Sequence, residues 1–359
     1  RACGTAAVMQ SMQPMPWYTE CREYPSVVRG GQKLSAVSLG VNEVLVVCET
    51  RDWESGDETV HREWRHVSLG LDGVPVAYEV TGPVMEDLST FITLYRVGGY
   101  VVAYATHSSS LSITAIPPWF MSVYTIDTGE WYNIEYVEDA MPCPRRDPSV
   151  MVLGDTLVVT GGSVEDVQRT WCLWSATDGV WEWSASTRQW VQYPNRRAEQ
   201  WPHTSDFWTL STKTSSYALD SIGIWTYSPH ITPNMGQDTW YFGRSGNHHI
   251  TRALIPLWRH VVQVTTSLSG TERPTLWLRD KVSLDAVLLE PLPVPWSVGV
   301  SGAFVAVNAT TLLYMDRQMT LVIEVDPDIL SPEYHTSMAG EVRWIWSRDE
   351  ASAERRSRY

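Results

Sequence analysis

The residues best placed to do chemistry in this sequence are a glycine pair, a scatter of carboxylates and two adjacent histidines. Gly161-Gly162 close the run "LGDTLVVTGGSVEDV" (153–167). A glycine turn after a strand can cradle a phosphate, but a P-loop continues into Gly-Lys-Ser/Thr and a dinucleotide loop into GxGxxG and a helix. Neither follows here, and Glu165 and Asp166 would put two carboxylates where the anion should sit. The pair reads as backbone punctuation at the exit of a strand. Glycosidic cleavage would need a general acid and a second carboxylate held at a working separation. Asp206, Asp220, Glu135 and Asp155 are the candidates; sequence spacing does not show whether any two lie at a working separation, and each reads as a solvated loop acid. His248-His249 would point to opposite faces of a strand, and only in a loop could they join His230 or His260 around a metal. The sequence therefore predicts no cofactor, no metal site and no catalytic set.

Composition narrows the classes further. The chain has 359 residues and a formal net charge of −14, which argues against non-specific nucleic-acid binding, where a basic face supplies the affinity. Lys33, Lys213 and Lys281 are the only lysines, a bias that reads as codon composition. Five cysteines (Cys3, Cys21, Cys48, Cys143, Cys172) lack CxxC spacing, so neither a disulfide framework nor a zinc site is expected. Reduced thiols and an intracellular location are expected, with a Cys3–Cys21 bridge as the alternative in an oxidising compartment. Asn308-Ala309-Thr310 is the one N-glycosylation sequon. Residue 1 is Arg, read as a start that is processed or incomplete. The uncharged run Pro291–Met315 is broken by prolines and glycines, and it reads as two buried strands rather than a membrane span.

What positions these residues is a series of short strands. Runs rich in Val, Leu, Tyr and Trp alternate with Gly, Pro, Asp and Ser clusters, and nineteen Trp against five Phe suit packed sheets. "LGVNEVLVVCET" (39–50), "VGGYVVAYAT" (97–106), "LGDTLVVTGG" (153–162) and "VSGAFVAVNA" (300–309) each place a turn before an apolar strand, and they align Val46, Val102, Val158 and Val305. A period near 50 residues is that of a four-stranded propeller blade. Downstream, "VYTIDTGEW" (123–131) and "EWSASTRQW" (182–190) set Tyr124 seven residues before Trp131 and Trp183 seven before Trp190, around good turn formers. Such pairs are expected to wedge between blades, largely buried.

The segment 144–194 resembles one kelch repeat: strand, Gly161-Gly162, then Trp183 and Trp190 in the places of the family's aromatic and Trp. Segment 97–136 is similar with Ala105-Thr106 for the glycines. The resemblance implies an all-β fold, a single propeller of four-stranded antiparallel blades that binds partners through its loops. Length over period gives six blades, with seven as the alternative. The divisions expected are an N-terminal extension at 1–26, the propeller at 27–346 and a charged tail at 347–359. "DTGEW" (127–131), "TDGVW" (177–181) and "DSIGIW" (220–225) are similar to sialidase Asp-boxes but match none in length, and they read as hairpin turns.

The function expected is therefore a non-catalytic interaction or scaffold subunit within a larger assembly, its partners other proteins. Arg145, Arg146, Arg196 and Arg197 fall in inter-blade loops and could present forks to an acidic partner. The alternatives are a propeller glycoside hydrolase of sialidase type and a secreted glycan-recognition domain.

Overall fold

The computed structural model describes residues 14–28, 33–54, 57–84, 90–107, 121–135, 137, 140–142, 149–153, 155–160, 164–165, 171–172, 180–193, 208–211, 216–219, 223–227, 240–244, 249–257, 260–267, 274–280, 286–293 and 302–330. Apart from the 3-10 turn Pro327–Leu330, the regular elements among them are strands. No described helix is long and apolar enough to cross a membrane.

The strands form six four-stranded antiparallel sheets. The first blade runs Lys33–Gly40, Glu43–Glu54, Asp57–Leu69 and Pro75–Glu79. The second is Thr90–Val97, Tyr100–His107, Met121–Thr125 and Glu130–Ile134. The third is Ser149–Leu153, Thr156–Thr160, Val180–Ser184 and Gln189–Tyr193, with a small hairpin, Val164–Glu165 and Trp171–Cys172, between its second and third strands. The fourth comprises Trp208–Ser211, Ser216–Leu219, Gly223–Tyr227 and Trp240–Arg244. The fifth comprises His249–Leu257, His260–Ser267, Thr275–Asp280 and Ala286–Leu288. The sixth contains Ala303–Ala306, Thr311–Met315 and Met319–Val325, and its outer strand is Tyr18–Pro25 from the other end of the chain.

The first strand of each blade touches that of the next, and the sixth touches the first, so the inner strands close a ring. This is a propeller. Within the ring, Leu94 N–H donates to Ser35 Oγ at 3.0 Å and Arg96 Nη1 to the Ser38 carbonyl at 2.9 Å, which fixes the first and second inner strands side by side and parallel.

The core lies between blades. Because side chains alternate along a strand, each inner strand pair serves two interfaces. In the first blade Val44, Val46 and Cys48 face the sixth, while Leu45 and Val47 face the second. Val101 and Ala103 of the second blade face back to the first; Val102 and Tyr104 face the third. Between fifth and sixth blades the interface gathers Ile255, Leu276, Leu278, Leu312, Leu321 and Ile323.

Four expectations change. Tyr18–Pro25 belongs to the sixth blade, although the sequence reading placed it in an extension. Val305 sits on an inner strand, whereas Val46, Val102 and Val158 sit on second strands. The turn equivalent to Gly98-Gly99 in the sixth blade is Asn308–Thr310, which contains no glycine. Val46 and Val102 also face opposite ways, because the hairpins close at Gly40–Glu43 and Val97–Tyr100, which makes Ala103 the counterpart of Val46 and leaves Val102 one residue out of step. A one-residue offset turns every side chain over.

Candidate functional site

In the first three blades the turn between first and second strands and that between third and fourth lie at the same end, here called the turn end. The glycine pair Gly161-Gly162 and the arginines Arg145, Arg146, Arg196 and Arg197 lie outside the described residues, as do Asp206, Asp220, His230 and His248.

Of the remaining carboxylate candidates, Asp155 is exposed in a first hairpin at the turn end. Glu135 is exposed just beyond Ile134, at the far end of an outer strand. They stand at opposite ends of the blades and form no acid–base pair. His260 is buried inside the fifth blade, and among the described residues no three His, Cys, Asp or Glu side chains cluster as for a metal. Cys21 and Cys48 are free thiols; burial pushes the Cys48 thiol up to about 12, which makes it a packing residue rather than a nucleophile.

The two aromatic pairs are brought together as the spacing requires. Tyr124 faces Trp131 and Trp183 faces Trp190, each one step in from a four-residue hairpin. Trp131 packs edge-on against Trp64 of the first blade, ring centroids 5.0 Å apart. Trp183 packs edge-on against Tyr100 of the second blade at 6.2 Å. Trp183 is fully buried, whereas Trp131 and Trp190 are half-buried, less than expected, because the outermost strand has a neighbour on one edge only.

"DTGEW" forms the second blade's outer hairpin, with Gly129 at φ 71° and its N–H on the Thr125 carbonyl at 2.9 Å. In the third blade Arg188 takes the same place at φ 56°, its N–H 2.7 Å from the Ser184 carbonyl. The Arg188 guanidinium carbon lies 5.2 Å from the centre of the Tyr100 ring and 5.5 Å from that of Tyr132. Its Nη2 donates to the Tyr100 hydroxyl at 2.9 Å. The aligned "DTGEW" and "STRQW" put Arg188 where Gly129 stands.

The first blade presents a second feature at the turn end. Val41 and Leu71 are aliphatic side chains with relative exposures of 77% and 112%. The turns that carry them are tied together: Leu69 N–H donates to the Asn42 carbonyl at 3.0 Å, and Asn42 N–H to the Val307 carbonyl at 2.7 Å. Asn308, the sequon residue, holds the neighbouring turn. Its Oδ1 accepts from Thr310 N–H at 2.9 Å and Thr311 N–H at 2.8 Å, and its Nδ2 donates to Asn42 Oδ1 at 2.8 Å. Arg22 Nη1 adds a bond to the Asp72 carbonyl at 3.2 Å. Beside them His66 lies 3.9 Å from Glu43 and edge-on to Tyr78, its pKa lowered by burial against the smaller opposing pull of Glu43.

No family model matches the sequence, and no curated protein matches it. One similar solved structure is that of YjhT, with a TM-score of 0.48 and 10% identity, covering 84% of this chain and 95% of that one. The propeller assignment rests on the sheet order and the ring contacts given above.

Proposed function

We propose that this chain is a divergent kelch-like propeller that serves as a binding or scaffold subunit for other proteins. The observation that carries the reading is the Val41–Leu71 pair. Two exposed aliphatic side chains cost solubility, and here both stand on turns held in place by backbone hydrogen bonds to each other and to the sixth blade. A pre-ordered apolar contact with a polar surround, Asn42, Asp72 and Glu43, has the composition of an interface centre and rim. Immobilising such turns in advance lowers the ordering cost on association.

The arginines 145, 146, 196 and 197 belong to the same reading as a further set of contacts to acidic surfaces. A glycoside hydrolase would require two converging carboxylates; Glu135 and Asp155 stand at opposite ends of the blades, and Asp206 and Asp220 lie outside the described residues.

The test is cross-linking and affinity capture from native extract with the intact chain and a Val41→Ser, Leu71→Ser variant. Both substitutions are at exposed turn positions, so the melting temperature should stay within about 2 °C. Loss of specific partners from the variant supports the reading. Identical partner sets, or turnover of a glycan by the purified chain, would discard it.

A further inference from the structure

The outer hairpins of the second and third blades share a four-residue loop of the same geometry and differ in what fills its fourth position. Both need a left-handed backbone at the fourth loop position, and the second blade uses Gly129 there. Glycine adopts that conformation freely, while a residue with a Cβ is disfavoured in it. The third blade nevertheless uses Arg188, so its side chain must offset the strain. Outliers of this kind collect at binding sites.

The side chain is held from two sides. Tyr100 and Tyr132 lie beneath the guanidinium, and the Tyr100 hydroxyl accepts from Nη2 at 2.9 Å and from Nε at 3.3 Å. Arg188 itself is exposed, and no described carboxylate pairs with it, in a chain with 41 acidic against 27 basic residues. A guanidinium offers five N–H donors in a rigid fork, and Nη1 donates to no described residue. The fork is thus oriented by aromatic faces and left with donors to spare.

We propose that Arg188, set by Tyr100 and Tyr132, is a receptor for a carboxylate carried by an acidic segment of a protein partner. This rests on the binding reading above and names the chemistry of one of its contacts. An exposed hairpin tip suits a protein segment better than a small molecule, which needs a concave site. Arg and Tyr are also the side chains that dominate protein–protein contacts. Asp127 and Glu130, exposed on the neighbouring hairpin, oppose a polyanion more than a short segment with few carboxylates.

The experiment uses fluorescence anisotropy with a labelled Gly/Ser peptide carrying two Glu, its Gln counterpart, and heparin as competitor. The intact chain should prefer the Glu peptide over the Gln peptide by about tenfold, with an affinity that falls as salt rises. Arg188→Gly suits the left-handed turn, so it should fold with little change in melting temperature and lose the preference. Arg188→Lys keeps the charge without the fork and should retain part of it. Equal binding of the two peptides by the intact chain overturns the proposal, and so does a preference that survives Arg188→Gly. A drop in melting temperature for Arg188→Gly with the preference unchanged would assign the residue to blade packing instead. Heparin bound in place of the peptide would also overturn the assignment to a protein segment. If the Val41/Leu71 variant still loses partners while the peptides give nothing, the binding reading stands and this inference alone falls.

Discussion

The indole N–H of Trp17 donates to the Glu290 carbonyl at 2.7 Å, joining the approach to the sixth blade's outer strand to the exit of the fifth blade. Around it, Met15 pairs in a parallel bridge with Leu289, and both Met15 and Trp17 are buried. Trp17→Ala is expected to cost about 3–5 kcal/mol through the cavity and the lost bond. Urea denaturation measures it, and a loss below about 1 kcal/mol would mean this segment contributes little to closure.

Trp183 and its hairpin neighbours should separate by burial. Trp183→Ala should cost about 3–5 kcal/mol, while Trp131→Ala and Trp190→Ala, each half-buried, should cost about 2 kcal/mol. Equal losses at all three positions would contradict the packing described for the outer strands.

Glu49 is buried on the first blade's second strand, takes Arg62 Nε at 2.9 Å, and accepts Ile92 N–H of the second blade at 3.0 Å. Removing only the cation leaves a buried charge uncompensated, so Arg62→Leu should destabilise by about 3–5 kcal/mol. A change under about 1 kcal/mol in chemical denaturation would show that Glu49 gains no net compensation from Arg62.

His66 predicts a pH effect with a defined sign. Burial lowers its folded pKa, so the unfolded chain takes up the proton first as pH falls. Its contribution is fully present above the unfolded value of about 6.5 and is lost as pH falls through the lowered folded value. Comparing the intact chain with His66→Phe across pH 7.5 to 4.5 should show that the intact chain loses stability relative to the variant. A parallel pair of curves would rule out the shift.

The quartet Arg145, Arg146, Arg196 and Arg197 is a separate arm of the interaction hypothesis. Replacing all four with Ser should weaken capture of acidic partners and move the melting temperature by less than about 2 °C. Undiminished capture would remove these residues from the interface.

The hairpins at Tyr124–Trp131 and Trp183–Trp190 were legible because everything that specifies them is local: two aromatics, a fixed spacing, and turn formers between. The four-stranded blade was legible for the same reason, as a period of turns and apolar runs. Tyr18–Pro25 was not, since its partner strand lies at the other end of the sequence and its own pattern is that of any edge strand. Val46 falls one residue out of step with Val102, because its counterpart counted from the hairpin closures is Ala103, and a pattern of small turns and apolar runs does not register a one-residue offset. The setting of Arg188 is not legible in the same way, because Tyr100 and Tyr132, the rings it meets, belong to another blade.

Thr19 and Glu324, joined at 3.4 Å across the sixth blade, stand 305 positions apart in the chain. During synthesis at about 5–20 residues per second, the first of these waits roughly 15–60 s for the second to be made. Through that interval the outer strand of the sixth blade exists with nothing to pair with, and its buried neighbours Met15 and Trp17 have no interface to enter. A nascent chain of this kind carries an unpaired, adhesive strand edge throughout that interval. The last turn of the ring is therefore also the step most exposed to error: two nascent chains on one messenger could exchange their first strands and close each other's rings.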